Sequence, residues 1–196
     1  MSALFDVLRA SIPHRGPPAL PPDAAARAAV AIVLVPDGDD ARVLFIERAE
    51  REGDPWSGHM AFPGGRASRS DADLAETARR ETLEEVGLDL GAGAELVGAL
   101  DPLPARSRGE ATGMYVAPFV WTLERMPALR PNAEVAATVW GSLHAIASGR
   151  HATTVDWSYR GSSLRLPAFA VGDRVVWGLT FQIVERLVAP LRKTIA

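Results

Sequence analysis

The 196-residue sequence contains no cysteine, which excludes disulfides, a thiolate nucleophile and a cysteine-ligated metal. It has no excess of basic residues. Lysine and arginine number 21 against 24 aspartates and glutamates, a formal net charge of −3, so a broad basic surface for nucleic acid is not expected. It also lacks any apolar run approaching the ~18–20 residues that span a bilayer, and a membrane partner is not expected. The opening MSALFDVLRASIPHRG has neither the basic start nor the apolar core of a secretory signal, and a cytoplasmic location is the expectation that follows.

What remains describes an ordinary globular chain, with 47% hydrophobic and 23% charged residues. The length suits one domain with a sizeable core. A net-acidic chain that handled phosphate compounds would have to neutralise them locally, with arginines or a bound cation.

Residues 2–10 read as a short amphipathic helix, and the proline-rich stretch from Ile12 to Pro22 as an extended linker. Ala28–Val35 and Arg42–Glu47 are strand-length apolar runs. The Pro36-Asp37-Gly38-Asp39-Asp40 segment between them has hairpin turn chemistry. Further strands are expected at 95–101, 114–122, 134–140, 153–159 and 164–169, with helices at 142–148 and 178–191. The last helix either closes the core or forms a contact between two copies in a homodimer. The fold class is α+β, a mixed sheet flanked by helices. Residues 1–24 are read as an N-terminal extension and 25–196 as the main domain.

The most regular helix runs from Asp71 to Val86. Asp71 or Asp73 can cap its start, and Gly87 can end it in the left-handed conformation. Helical spacing sends Glu81, Glu84 and Glu85 into one sector, while Ala75, Ala78, Thr82 and Val86 fall elsewhere and allow close packing. Like charges at i and i+4 cost roughly 0.2–0.5 kcal/mol per exposed pair. Carboxylates in a last turn also oppose the helix dipole, by roughly 0.3–1 kcal/mol each. A cluster of this kind is usually a solvated surface. A hard divalent cation, however, would turn the repulsion into ligation. Phe62-Pro63-Gly64-Gly65-Arg66 stands just before the helix, and paired glycines let a backbone turn tightly and approach another group closely.

Gly64-Gly65, Asp71, Arg80-Glu81, Glu84-Glu85, Gly87 and Leu88 resemble the Nudix box: a glycine, an acidic residue, then Arg-Glu-U-X-Glu-Glu-X-Gly-U with U apolar. Three departures are visible. The spacer from Gly65 to Arg80 is one residue longer than the usual form, Asp71 replaces a glutamate, and Thr82 replaces an apolar residue. The longer spacer is similar to Nudix enzymes that hydrolyse coenzyme A. Arg48-Ala49, Gly58 and Phe62-Pro63-Gly64-Gly65 resemble the motif upstream of the box in those enzymes. Its loop is about one residue too long here and its inner arginine is displaced, with Arg51 the nearest candidate. Trp177-Gly178-Leu179-Thr180 and Asn132-Ala133-Glu134-Val135 are also similar to that group.

The resemblance implies a Nudix-type α/β/α sandwich with its box near residues 64–88. The implied activity is attack of water on a nucleotide-linked diphosphate, dependent on Mg²⁺ or Mn²⁺. The implied substrate is coenzyme A or an acyl-coenzyme A. ADP-ribose, a dinucleotide and a nucleoside triphosphate stand as alternatives, and a nucleotide sensor without turnover as a reading of another class. The resemblance makes Glu81, Glu84 and Glu85 metal ligands, with Gly64 offering a backbone oxygen and Arg80 an orienting group. Arg48, Phe62, Gly65 and Arg66 are candidate substrate contacts. Glu134 is a candidate general base from outside the box, against a surface role at a strand edge. His59 is a candidate substrate contact, against a packing role in its loop. Trp56 either stacks on a base or pins its loop. Trp140, Trp157 and Trp177 read as core or interface residues.

Overall fold

In the computed structural model, residues 3–12, 19–21, 24–54, 56–107, 109–159 and 161–195 are described. Most of the expected proline-rich linker lies outside them. The helices are α1 (Ala3–Ser11), α2 (Leu74–Val86), α3 (Leu143–Ala147) and α4 (Gly178–Ile195). The strands before α2 are β1 (Ala26–Asp37), β2 (Asp40–Arg48), β3 (Met60–Ala61) and β4 (Gly64–Arg66). Those after it are β5 (Glu95–Ala99), β6 (Leu103–Ser107), β7 (Glu110–Thr122), β8 (Val135–Ser142), β9 (Ala152–Tyr159), β10 (Ser162–Val171) and β11 (Arg174–Trp177).

The main sheet is mixed. β1 pairs in parallel with β7 and antiparallel with β2 and β4. Around these lie β3 and β8 on β2, and β5 and β6 on β7. The apolar run of β1 follows from burial on both faces. Ala29, Ala31 and Val33 face one core layer, with Ala78 and Val86 of α2. Ile32 and Leu34 face the other, with Leu4, Phe5 and Leu8 of α1, Ile146 of α3 and Leu187 of α4. Helices thus cover both faces, and the expected α/β/α sandwich is observed. Ile183, Val184, Leu187, Val188 and Leu191 are buried in this layer, so the apolar stripe of α4 closes the core. Among the described residues, no helix is long and apolar enough to cross a membrane.

Some expectations are corrected. Helix α2 begins at Leu74, and its cap is Asp73, which accepts from the Glu76 amide at 2.8 Å. Asp71 is left for another task. Gly64-Gly65 is not a tight turn but part of an edge strand, Gly65 standing opposite Ala29 of β1. The strands expected at 153–159 and 164–169 do not join the main sheet. As β9 and β10 they form a separate antiparallel sheet with β11. Gly87 ends α2 as expected, at φ 68° with its amide donating to Leu83.

Candidate active site

The site forms where α2 crosses β4. Glu85 sits on the helix face turned to the sheet, together with Thr77, Ala78, Thr82 and Val86, and is only 5% exposed. Thr82 fits that dry interface because its hydroxyl donates to the Ala78 carbonyl at 2.7 Å. Glu85 accepts from the Gly64 amide at 2.8 Å. Glu81, one turn earlier, places its carboxylate against Gly65, where any side chain would collide with it. The glycines are therefore required by close approach. Gly64 also has φ 153°, a backbone region that residues with a side chain rarely adopt.

The electrostatics are unfavourable for a protein alone. Burial pushes Glu85 up to about 7; the Gly64 hydrogen bond and Arg48 oppose the shift, and Glu81 and Glu134 add to it. Burial also raises Glu81, against the pull of Arg80. Two converging carboxylates with so little compensating charge are a donor set for a hard cation. Glu84 is not brought into the pair. Its side chain is 56% exposed and lies 3.4 Å from Arg80. The three-carboxylate cluster expected from helical spacing is therefore two converging groups and one at the surface. Among the described residues, no three histidine, aspartate or glutamate side chains are gathered to hold an ion by themselves. Two carboxylates still suit Mg²⁺ or Mn²⁺, since such ions retain water and take substrate oxygens in the remaining positions.

Arg80 is held in place from the loop before the helix. It donates to Asp71 through Nε at 2.9 Å and Nη2 at 3.1 Å, to the Glu81 carboxylate at 2.7 Å and to the Arg66 carbonyl at 3.2 Å. Asp71 also accepts from the Ser68 amide and the Thr77 hydroxyl, each at 2.8 Å. These bonds, the one from Arg80 foremost, hold Asp71 far below the usual carboxylate range, and Asp71 in turn raises Arg80. The carboxylate that Arg80 grips with paired hydrogen bonds is thus Asp71, with Glu84 only at the edge of its reach. Glu76 pairs instead with Arg79.

A cavity of about 740 Å³ opens from this junction, lined by Glu81, Glu85, Gly64, Gly65, Arg48, Arg66 and Glu134. Arg48 reaches it but is already paired with Asp54 at 2.6 Å, a contact the sequence reading missed although the opposite charge lies six residues on. Burial opposes the shift, yet the Arg48 hydrogen bond and the Trp56 amide take Asp54 below its ordinary value. Arg66 is exposed at the rim. Phe62 is 3% exposed and stacks on Phe45, ring centroids 5.1 Å apart, so it also supports the wall from the core. Glu134 is half-exposed and pairs with Arg51 at 3.1 Å. His59 packs on Trp177 at 4.7 Å, and burial lowers its pKa. Trp56, Trp157 and Trp177 line the cavity, whereas Trp140 packs against the core layer under α2. Thr180, which begins the turn after Trp177, bonds the Met60 carbonyl at 3.0 Å and ties α4 to β3.

The NUDIX domain model matches residues 25–160. An uncharacterised protein of Schizosaccharomyces pombe is 46% identical over 101 residues, which take in 50% of this chain and 31% of that protein. The mitochondrial coenzyme A diphosphatase NUDT8 of Mus musculus is 35% identical over 173 residues, 84% of this chain and 80% of the relative. Among solved structures, a MutT/nudix family protein from Enterococcus faecalis superposes with a TM-score of 0.53 at 19% identity, covering 93% of this chain and 70% of that one.

Proposed function

This chain belongs to the Nudix hydrolase family, and we propose that it is a divalent-metal-dependent diphosphatase of a nucleoside-diphosphate-linked small molecule, with coenzyme A as the substrate. The observation that carries the reading is the pair Glu81 and Glu85, one against Gly65 and one bonded to the Gly64 amide, at the wall of a single large cavity. Coenzyme A is favoured over other nucleotides because the NUDT8 relative is similar over most of both chains.

When bound, Mg²⁺ or Mn²⁺ would neutralise diphosphate oxygens and acidify a water. Glu81 and Glu85 would hold it, with the Gly64 carbonyl as a backbone donor. Glu84 would contribute only after leaving Arg80. Arg80 fixes the Glu81 carboxylate through one N–H, and Asp71 fixes Arg80. Arg48 and Arg66 supply positive charge along the cavity for the phosphates, while the space beside Gly65, a candidate substrate contact, is taken by the Glu81 carboxylate. Glu134, already at the cavity wall, is the candidate proton acceptor. Such positioning and electrostatics carry most of phosphoryl-transfer catalysis. The proposed setting is the cytoplasm.

The test is a panel of coenzyme A, ADP-ribose, a dinucleotide and a nucleoside triphosphate, each with Mg²⁺ or Mn²⁺ and with chelator, products identified by mass. The expected products of coenzyme A are a phosphopantetheine and an adenosine nucleotide. Preferred cleavage of another member would replace coenzyme A and keep the chemistry. Tight binding without cleavage of any would overturn the enzymatic reading in favour of a sensor.

A further inference from the structure

Arg48 and Arg80 both bring positive charge to the site, but the fold uses them differently. Arg80 commits its N–H groups to the protein, donating to Asp71, the Glu81 carboxylate and the Arg66 carbonyl. Arg48 lines the cavity and makes one side-chain hydrogen bond among the described residues, from Nη2 to Asp54 at 2.6 Å. Its Nε is buried and meets no acceptor among them. An arginine in a cavity wall with N–H groups left over is equipped for an acceptor that the fold does not supply.

Asp54 is not a cavity-lining residue, and its side chain is only 15% exposed. It is fixed independently of Arg48, because Oδ1 accepts from the Trp56 amide at 3.0 Å while Oδ2 faces Arg48. The loop around it closes through other bonds. Ser57 Oγ accepts from the Arg51 amide and donates to the Arg51 carbonyl, both at 2.8 Å, and the Gly58 amide donates to the Arg48 carbonyl at 3.1 Å. The Arg48–Asp54 bond is therefore not what shapes the loop. A long arginine side chain otherwise samples many rotamers, and one anchored before binding loses less freedom on meeting a phosphate.

We propose that Asp54 is a positioning residue: it holds the Arg48 guanidinium so that its remaining N–H groups meet the substrate diphosphate. The proposal rests on the diphosphatase reading, which supplies the phosphates. A guanidinium is a planar fork, so a carboxylate that restrains one of its nitrogens also directs the others.

The experiment is a double-mutant cycle on kcat and KM for coenzyme A with Mg²⁺, using wild type, Asp54→Asn, Arg48→Gln and the double variant. Asparagine has one acceptor oxygen, so it can keep the Trp56 amide but not Arg48 as well. Asp54→Asn is expected to lose about tenfold or more in kcat/KM, mainly through KM, as a substrate contact loosens. In the Arg48→Gln background the same change is expected to cost nothing further, whereas two independent structural losses would multiply. Arg48→Lys leaves Asp54 intact and keeps the charge without the fork, and is expected to raise KM by a similar factor. Binding of coenzyme A to the same chains, each also carrying Glu85→Gln, with Mg²⁺ and read by calorimetry, measures the same contrast without turnover. If wild type binds coenzyme A without cleaving it, the diphosphatase reading on that compound fails, and the binding cycle still decides the role of Asp54. An unchanged KM in Asp54→Asn or Arg48→Lys, or losses that multiply across the cycle, overturns the proposal.

Discussion

Gly65 lies so close to Glu81 that a Cβ at position 65 would stand 2.5 Å from the Glu81 carboxyl carbon. The atom in the way is the end of a flexible side chain, so Gly65→Ala displaces the carboxylate and not the fold. At Gly64 a Cβ would overlap the Ala29 carbonyl and lie 2.6 Å from the Val30 Cα, at a φ of 153°. Gly65→Ala is therefore expected to melt within about 1 kcal/mol of wild type while losing roughly 10²-fold in kcat, the cost of an ~1 Å misplacement. Gly64→Ala is expected to lose about 2–4 kcal/mol of stability. Thermal melts beside kcat measurements separate the two. Full activity in Gly65→Ala would show that Glu81 has no fixed place in the chemistry.

Glu85 gives a stability signature in chelator. Its ordinary value is 4.5 and burial first of all raises it to about 7, so the folded chain holds this proton more tightly than the unfolded chain. The contribution is fully present below about pH 4.5 and is lost as pH rises through about 7, to the extent of roughly 3 kcal/mol. Glu85→Gln should remove that loss and melt higher than wild type at about pH 8 without metal. Added Mg²⁺ or Mn²⁺ should stabilise wild type most above pH ~7, where the ligand is ionised. A wild-type melting temperature in chelator that rises across this window, with Glu85→Gln following it, would contradict the assignment.

Asp71 acts on the site through Arg80. Asp71→Asn keeps the shape but removes the charge that two Arg80 N–H groups address. A charge-assisted hydrogen bond contributes about 1.5–3 kcal/mol, and a stability loss of that order is expected. The depressed Asp71 value also means that its contribution, present above about pH 4, is lost as acidity increases, so the variant should flatten the acid limb of the melting profile. Because Arg80 also holds Glu81, kcat should fall with KM little changed. Wild-type kcat in Asp71→Asn would leave Asp71 a purely structural residue.

Much of this site was legible because it breaks local rules. Three carboxylates near the end of one helix, after a glycine pair, cost free energy that only a ligand or close packing recovers. The cap at Gly87 and the strand-length apolar run of β1 were equally plain in residue type. The rest depended on tertiary structure. β4 is Gly-Gly-Arg, too short to show alternation, and β6 contains Pro104, which argues against a strand; each is defined by its neighbour, β1 or β7. Helical spacing put Glu84 with its neighbours, but the sheet meets the helix on the side of Glu85 and leaves Glu84 in solvent. Arg48 read only as a candidate substrate contact because its partner Asp54 comes from the folding of the intervening loop. Trp157 read as a core or interface residue because nothing local shows that β9 and β10 leave the main sheet to wall a cavity.

The central claim is that Glu81 and Glu85 hold a divalent ion that makes diphosphate hydrolysis possible. The most direct measurement is the rate of coenzyme A cleavage by wild type and Glu85→Gln, at matched concentrations of Mg²⁺ or Mn²⁺ and in chelator. The account predicts cleavage by wild type only with metal, and a loss of roughly 10³-fold or more in Glu85→Gln, the scale of removing a principal electrostatic contact. Cleavage that persists in chelator, or a Glu85→Gln chain as active as wild type, would contradict it.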